Sequence, residues 1–266
     1  MARVTLADIA REVGCSTATV SYVLNNDPRQ KINEKTRMRI IQVSSILGYQ
    51  KNAFASGLAD GKSHSIGLYV GRCGFPLETA DKMAFVYQLV KALALNGYRT
   101  VLFTDSISME IQFVDAILCI DFDESDFDAV CKSNFIPVLG VDTHVHEPWT
   151  FEISSDFAGI GERFFLKDYV LLCHKRNSKR LREEIREANP NVHFVSSFAQ
   201  LDMLEEALQG KKVIVEGESM YDYLKNKNAN FIKYVVDCET KINKIVTCLK
   251  LAIEHAEVEN HVFKMS

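Results

Sequence analysis

The stretch TLADIAREVGCSTATVSYVLNN, residues 5–26, constrains the fold more than any other part of the chain. Its apolar residues form two short stripes at helical spacing, Leu6, Ile9, Ala10 and Val13, then Val20, Val23 and Leu24, parted by Gly14 and Cys15. Thr5 suits an N-cap, and Asp8 three residues on can return the bond as a capping box. Gly14 accepts the positive φ that ends a helix. Ser16 starts a second helix as its N-cap, and Asn25 and Asn26 stop it. The pattern predicts a third helix capped by Asn33, with Ile40, Ile41, Val43 and Leu47 inward and Gly48 at its end. Three short helices about one small core, with a tight turn between the first two, make a helix-turn-helix unit.

The outer side of the second helix carries Ser16, Thr17, Thr19, Ser21 and Tyr22. In a helix-turn-helix unit this helix enters the major groove, its first residues facing base edges and phosphates. Small hydroxyl side chains let the backbone approach closely, their O–H groups donate to phosphate oxygens, and the helix start adds its positive end. The solvated face of an ordinary three-helix bundle would read the same way. Charge favours the nucleic-acid reading. Residues 1–62 hold nine Lys and Arg against five acids, a net of +4, in a chain whose net charge is −4, so the remainder carries −8. A positive head on an acidic body points to a polyanionic partner.

These residues carry a resemblance. VTLADIAREVGCSTATVSYVLNN, followed by INEKTRMRIIQVSSILGYQKNAFASGLADGKSHSIGLYV, resembles the LacI/GalR family of bacterial transcription regulators. The matching motifs are T-x-x-D-[IV]-A, V-S-x-V-[LI]-N, E-K-T-R, L-G-Y and N-A-x-A-x-x-L before an I-G-L strand; they cover residues 3–70. The resemblance implies base reading by Thr17, Ala18 and Tyr22, and phosphate contact or capping by Ser16, Thr19, Ser21 and Asn25. Thr5 and Tyr49 would touch the DNA backbone. It also implies that residues 52–59, NAFASGLA, with Asn52, Ala55 and Leu58, form a hinge helix on operator DNA. Leu58 occupies the position of a minor-groove wedge, which unstacks a base step at a cost of roughly a few kcal/mol. Ser56 stands where the family often has Arg. A plain flexible linker, which Gly57, Gly61 and Ser63 would suit, is the alternative. The implied division is a helix-turn-helix domain over 1–50, a hinge over 51–62 and an effector-binding-like, dimerising body over 63–266.

After Lys62 strand and helix patterns alternate, which predicts parallel sheets covered by helices. Candidate strands are 65–70, 99–104, 116–120, 137–141, 170–173, 192–195, 213–215 and 232–236, with helices near 79–96, 157–167, 178–188, 200–208, 219–227 and 240–254. The fold class is therefore an all-α helix-turn-helix head plus an α/β body. The resemblance implies two lobes of periplasmic-binding-protein type with an effector cleft between them. Two departures from the family stand out. Only DSISMEIQFV, 105–114, joins the second and third strands, short for the crossover of a parallel pair, and 174–212 is also shortened. The cleft signatures are eroded: the first loop reads GRCGFPLE, Phe157 replaces the Asn that follows Asp156, the Arg180 turn lacks its Gly, and Glu218 holds the late acidic position. Asp142, Asp156, Arg180 and Glu218 remain as cleft candidates.

Other chemistry is sparse. There is no G-x-S-x-G, no Walker loop and no G-x-G-x-x-G after a strand. His144 and His146 beside Asp142 lack a clear third ligand and read as a surface loop. Seven scattered cysteines form no C-x-x-C pair and read mostly as small buried hydrophobes. Lys175, Arg176, Lys179, Arg180 and Arg182 read as a solvated helix face, with an anionic ligand as the alternative. Trp149 and Phe151 suit a cleft wall, core packing or a dimer contact. No apolar run reaches the roughly 18 residues of a membrane span, and Arg3 and Asp8 interrupt any signal-peptide core, so a cytoplasmic protein is expected. The function expected is a dimeric regulator, a repressor, on double-stranded operator DNA, without cofactor, metal or catalytic residues. Its body would take a small-molecule effector or, in the alternative, a protein partner. An enzyme fused to a helix-turn-helix is the reading from another class.

Overall fold

The computed structural model describes residues 4–24, 31–47, 49, 62–103, 110–227 and 230–266. The chain divides into two compact units, residues 1–61 and 62–266.

The first unit is helical. Helix α1 (Leu6–Val13) opens with the full capping box, in which Thr5 Oγ1 accepts from the Asp8 N–H and the Thr5 N–H donates to the Asp8 carboxylate. It ends at Gly14, whose φ of 77° places it in the left-handed region. Helix α2 (Thr17–Leu24) starts from Ser16, whose Oγ accepts from the Thr19 N–H. Helix α3 (Glu34–Ile46) is capped by the Asn33 side chain on the Lys35 N–H. Ile9, Ala10, Val13, Val20, Val23 and Ile40 form the core. The inward face of α3 differs from its sequence reading. Ile41 is 46% and Leu47 36% exposed, Val43 only packs on the margin, and Ser44 is buried instead, its hydroxyl donating to the Ile40 carbonyl. The core is too small to cover both flanks of a 13-residue helix, so one narrow stripe is buried.

The second unit holds two parallel sheets. The larger has order β10-β5-β4-β3-β1-β2, from β1 (Ser65–Val70), β2 (Arg99–Phe103), β3 (Ala116–Ile120), β4 (Val138–Val141), β5 (Glu152–Ser155) and β10 (Val262–Met265). Ile66, Leu68, Leu118, Ile120, Leu139 and Val141 pack on one face beneath α4 (Pro76–Leu95) and α10 (Cys238–Ile253). Tyr69, Ile117, Cys119 and Val138 pack on the other, with Phe127 and Val130 of α5 (Glu124–Ser133). The smaller sheet has order β7-β6-β8-β9, from β6 (Val170–His174), β7 (Val192–Val195), β8 (Val213–Glu216) and β9 (Phe231–Tyr234). The one-turn α6 (Ile160–Arg163) and α7 (Lys179–Ala188) cover one face through Ile160 and Ile185. Helices α8 (Phe198–Ala207) and α9 (Glu218–Leu224) cover the other through Leu201, Met220 and Leu224. Burial on both faces is why β1, β3, β4, β6 and β8 read as continuous apolar runs.

Three sequence readings need correction. The helix near 157–167 shrinks to Ile160–Arg163, because Phe157 turns into the core of the smaller lobe and Gly159 bends the chain at a φ of 64°. The short 105–114 connection does not prevent a parallel arrangement: β2 and β3 are not neighbours but flank β1 on opposite sides, each parallel to it. Strands β5 and β10 and helix α5 are additional elements. β5 reads EISS and β10 VFKM, alternations too short to stand out from loop sequence.

Candidate nucleic-acid interface and interlobe cleft

In the head, Ser16, Thr17 and Ala18 are exposed at the start of α2, and Tyr22 lies one turn further along, 37% exposed. Thr19 and Ser21 are half-buried between them. Ser16 and Thr19 are tied together, Oγ to Oγ1 at 2.8 Å. The first turns of α1 and α3 contain Asp8 and Glu34, whereas that of α2 contains no acid. The positive end of α2 is thus left unneutralised beside small hydroxyls, the arrangement that receives an anion. Thr5 is exposed but engaged with Asp8. Tyr49 is half-buried against the core, its N–H on the Ser44 carbonyl. Asn25, Asn52, Ala55 and Leu58 lie outside the described residues.

In the body, the carboxyl ends of β3, β4, β5, β6, β8 and β9 meet at a cleft between the lobes, where ligands bind in open parallel sheets. Asp121 and Asp142 follow β3 and β4 directly, both at positive φ, 51° and 47°. Aspartate tolerates that conformation better than most residues, and here it aims both carboxylates into the cleft. The cavity is about 230 Å³, below the roughly 300–1,000 Å³ usual for small-molecule sites.

Buried ion pairs fill its walls. Lys82 of α4 lies 2.6 Å from Asp121 and 3.0 Å from Glu78. Lys241 of α10 lies 2.5 Å from Asp142, whose other oxygen accepts from the Ser155 N–H and hydroxyl. Burial works to raise the Asp142 carboxyl, but Lys241 and Arg176 hold it well below the usual carboxylate range. Arg176 lies 2.6 Å from Glu216. Across the cleft, His174 Nε2 meets Asp81 at 2.9 Å, and the Ser219 N–H donates to the same carboxylate. Burial opposes ionisation of Asp81, yet these bonds keep it below its ordinary value. Gly217, at φ 96°, permits this contact: a Cβ there would stand 2.3 Å from Asp81 Oδ2 and 2.9 Å from His174 Nε2. Glu124 of the larger lobe accepts from Ser178 Oγ and the Lys179 and Arg180 N–H groups. Lys264 bridges Glu152 and Glu184.

Of the four cleft candidates, the cavity includes Asp142 and, at its edge, Glu218, which pairs with Lys233. Asp156 lines a neighbouring pocket and pairs with Arg163. Arg180 lies outside the cavity, its side chain exposed beside Glu184. Arg176 is not on a solvated helix face but buried in the cleft, since it precedes α7 and follows β6. Trp149 is 70% exposed away from the cleft, and Phe151 is in the core. His144 and His146 sit beside Glu152 and Asp128. Among the described residues no group of three or more His, Cys, Asp or Glu is arranged to hold a metal ion. The cysteines are free, with Cys119, Cys173 and Cys248 buried. Sequence reasoning passed over Glu78, Asp81, Lys82, His174 and Lys241. Glu78 and Lys82 share the helical stripe of Val86, Leu89 and Leu93, and Lys241 precedes Ile242 and Ile245. Charges on an otherwise buried stripe were the available signal.

Residues 5–52 match the family model described as bacterial regulatory proteins, lacI family. The chain is 33% identical over 147 residues to the sucrose operon repressor of Klebsiella pneumoniae, covering 52% of this chain and 43% of that protein. It is 40% identical over 92 residues to the transcriptional regulator GalS of Salmonella typhimurium, covering 35% and 24%. The matches thus span less than half the length of these relatives. Among solved structures, the lac repressor dimer bound to operator and the anti-inducer ONPF is similar at TM-score 0.64 and 17% identity, covering 100% of this chain and 97% of that one. The regulator CelR in complex with cellobiose is similar at TM-score 0.54 and 16% identity, covering 99% and 97%. The fold is that of these structures, and the match to the lacI family model is confined to the head. Among the described residues no helix is long and apolar enough to cross a membrane.

Proposed function

We propose that this chain, a lacI-family protein by its head, is a sequence-specific DNA-binding transcriptional regulator, a repressor that acts as a dimer in the cytoplasm and not as an enzyme. The observation that carries this reading is the start of α2. Ser16, Thr17, Ala18 and Tyr22 form one exposed face, and the helix end behind them carries no acid. Phosphates would be held by the Ser16 hydroxyl, the N–H groups of that end and the hydroxyls of Thr19 and Ser21. Base edges would meet Thr17, Ala18 and Tyr22, since a short Ala lets the helix sink and a phenol both hydrogen-bonds and packs on a thymine methyl. Asn25, Tyr49 and Thr5 would flank this contact, and Asn52, Ala55 and Leu58 would belong to a hinge entering the minor groove. The domain division into 1–50, 51–62 and 63–266 goes with this reading.

Dimerisation has a candidate surface on the larger lobe. Met83, Tyr87 and Leu95 are exposed on α4, and Val101 and Leu102 on the edge strand β2 that packs beside it. A monomer that leaves such a face in water favours association. A second copy fits best, because a dimer places two heads on two half-sites of one palindrome.

The test is selection of bound duplexes from a random pool with the full chain, followed by the same selection with Tyr22→Ala. A palindromic motif that loses preference at one half-site position in the variant supports the reading. Recovery of no motif contradicts it.

A further inference from the structure

The two lobes of the body are joined by their own polar groups. Glu124, at the start of α5 in the larger lobe, reaches α7 of the smaller. Its carboxylate accepts from the Ser178 hydroxyl at 2.5 Å, the Arg180 N–H at 3.0 Å and the Lys179 N–H at 3.2 Å. Asp81 of α4 accepts from the Ser219 N–H of α9 and meets the buried His174 ring of β6, each at 2.9 Å. Asn177 donates to the Asp121 carboxylate, and Lys264 of β10 lies 3.0 Å from Glu184 of α7. On the larger lobe these contacts come from α4, α5, β10 and the turn after β3, so no single loop carries them.

The N–H groups involved are ones that need an outside partner. The first N–H groups of a helix have no intrahelical acceptor. The first turn of α7 holds no acid of its own, and Glu124 supplies one from the other lobe. A ligand closes a two-lobed body only through contacts that it gains in the closed form. Here carboxylates of the chain already make such contacts. The cavity they leave is about 230 Å³, below the usual range for a small-molecule site. A molecule entering between the lobes must part Asp81 from His174 and Ser219, which leaves a partly buried charge without its partners.

We propose that the body closes on itself, with Glu124 and Asp81 making the interlobe contacts that an effector's polar groups would otherwise make. The closed form then needs no small molecule, and the affinity for DNA does not follow the concentration of one. Closure is a property of the body alone; its consequence at the operator rests on the reading of the chain as a DNA-binding regulator.

The experiment is hydrogen exchange followed by mass spectrometry on the full chain, reading the amides of Lys179, Arg180 and Ser219. It is run without additions and then with glucose, glucose 6-phosphate or sodium phosphate as probes. In the parent these amides are expected to be protected without additions, and no probe is expected to slow them further. Glu124→Ala is expected to speed exchange at Lys179 and Arg180 about tenfold or more, and Asp81→Ala to do so at Ser219, the effect of losing a charged hydrogen-bond acceptor. Amides of the buried strands β3 and β8 should stay protected in both variants, which separates opening of the lobes from misfolding. In the double variant, affinity for a selected operator is expected to shift about tenfold or more. The proposal is overturned if the three amides exchange as fast in the parent as in the variants, if a probe is needed to protect them, or if the double variant opens with operator affinity unchanged. Protected amides in a parent that binds no DNA of any sequence support self-closure and contradict the regulatory reading instead.

Discussion

Asn177 of the smaller lobe is joined to Asp121 of the larger by three hydrogen bonds: its N–H to Oδ1 at 2.9 Å, and its Nδ2 to the Asp121 carbonyl at 2.9 Å and to Oδ2 at 3.1 Å. Nδ2 also donates to the Arg72 carbonyl at 2.9 Å. Asn177 thus fastens the two lobes at the carboxylate whose Oδ2 also accepts from Lys82.

Replacing Asn177 with Ala removes the side-chain bonds and leaves the backbone N–H in place. Nδ2 shares two hydrogens among three acceptors, and each bond is worth about 1 kcal/mol net, so the body is expected to lose about 2 kcal/mol. Urea unfolding of the variant checks this, with the larger lobe's fluorescence from Trp149 as probe. An unchanged midpoint would show that Asn177 does not fasten the lobes.

Gly14→Ala tests the turn between α1 and α2. The φ of 77° is strained for any residue with a Cβ, although no heavy atom lies within 4 Å of the added methyl. The cost is then backbone strain alone, about 1–2 kcal/mol, and Gly14→Asn should cost less because Asn tolerates this region. Thermal melting of the head followed by circular dichroism should rank the three proteins in that order.

Acid should open the cleft. Burial opposes ionisation of Asp81, Asp142 and Glu216, but their partners bring all three below their ordinary values. A depressed carboxylate contributes stability above its unfolded value, about 3.9–4.3, and loses it as pH falls through the folded value. Stability of the body should be level from neutral pH to about 5 and fall steeply below about 4. Asp142→Asn should be less stable at neutral pH, because Lys241 is left buried without its charge partner, and should show a shallower fall in acid. Urea midpoints across that range decide the matter.

Much of this architecture was legible in the chain. The capping box at Thr5 and Asp8, the Gly14 turn and the Asn33 cap are local devices, each set by residues within four positions of one another. The buried strands at 116–120 and 213–215 announced themselves because both faces of a parallel sheet are covered. The cleft was harder. Lys82 meets Asp121 across 39 residues, and Lys241 meets Asp142 across 99. No spacing rule reaches so far, and only a charge on an apolar stripe hints that a partner waits elsewhere. Arg176 was hidden for the opposite reason, since a run of basic residues around it looked like a solvated face. Arg180, which family position favoured, points away because its N–H rather than its guanidinium meets Glu124.

The hinge reading has its own test. Leu58→Ala should weaken binding to a selected operator while leaving binding to random DNA nearly unchanged, since a wedge acts only where a base step opens. Filter binding to both duplexes separates this from equal loss, which a plain linker would give.

The central claim, that the head of this chain binds DNA through the start of α2, is tested most directly by the salt dependence of operator binding. With six or more phosphate contacts per dimer, log affinity should fall against log salt with a slope of about −5 or steeper. Substitution of Ser16 by Asp should abolish binding, because it places a negative charge at the end of α2 that meets phosphate. A slope near zero on a selected duplex, or an unchanged affinity in the Ser16→Asp protein, would contradict the account.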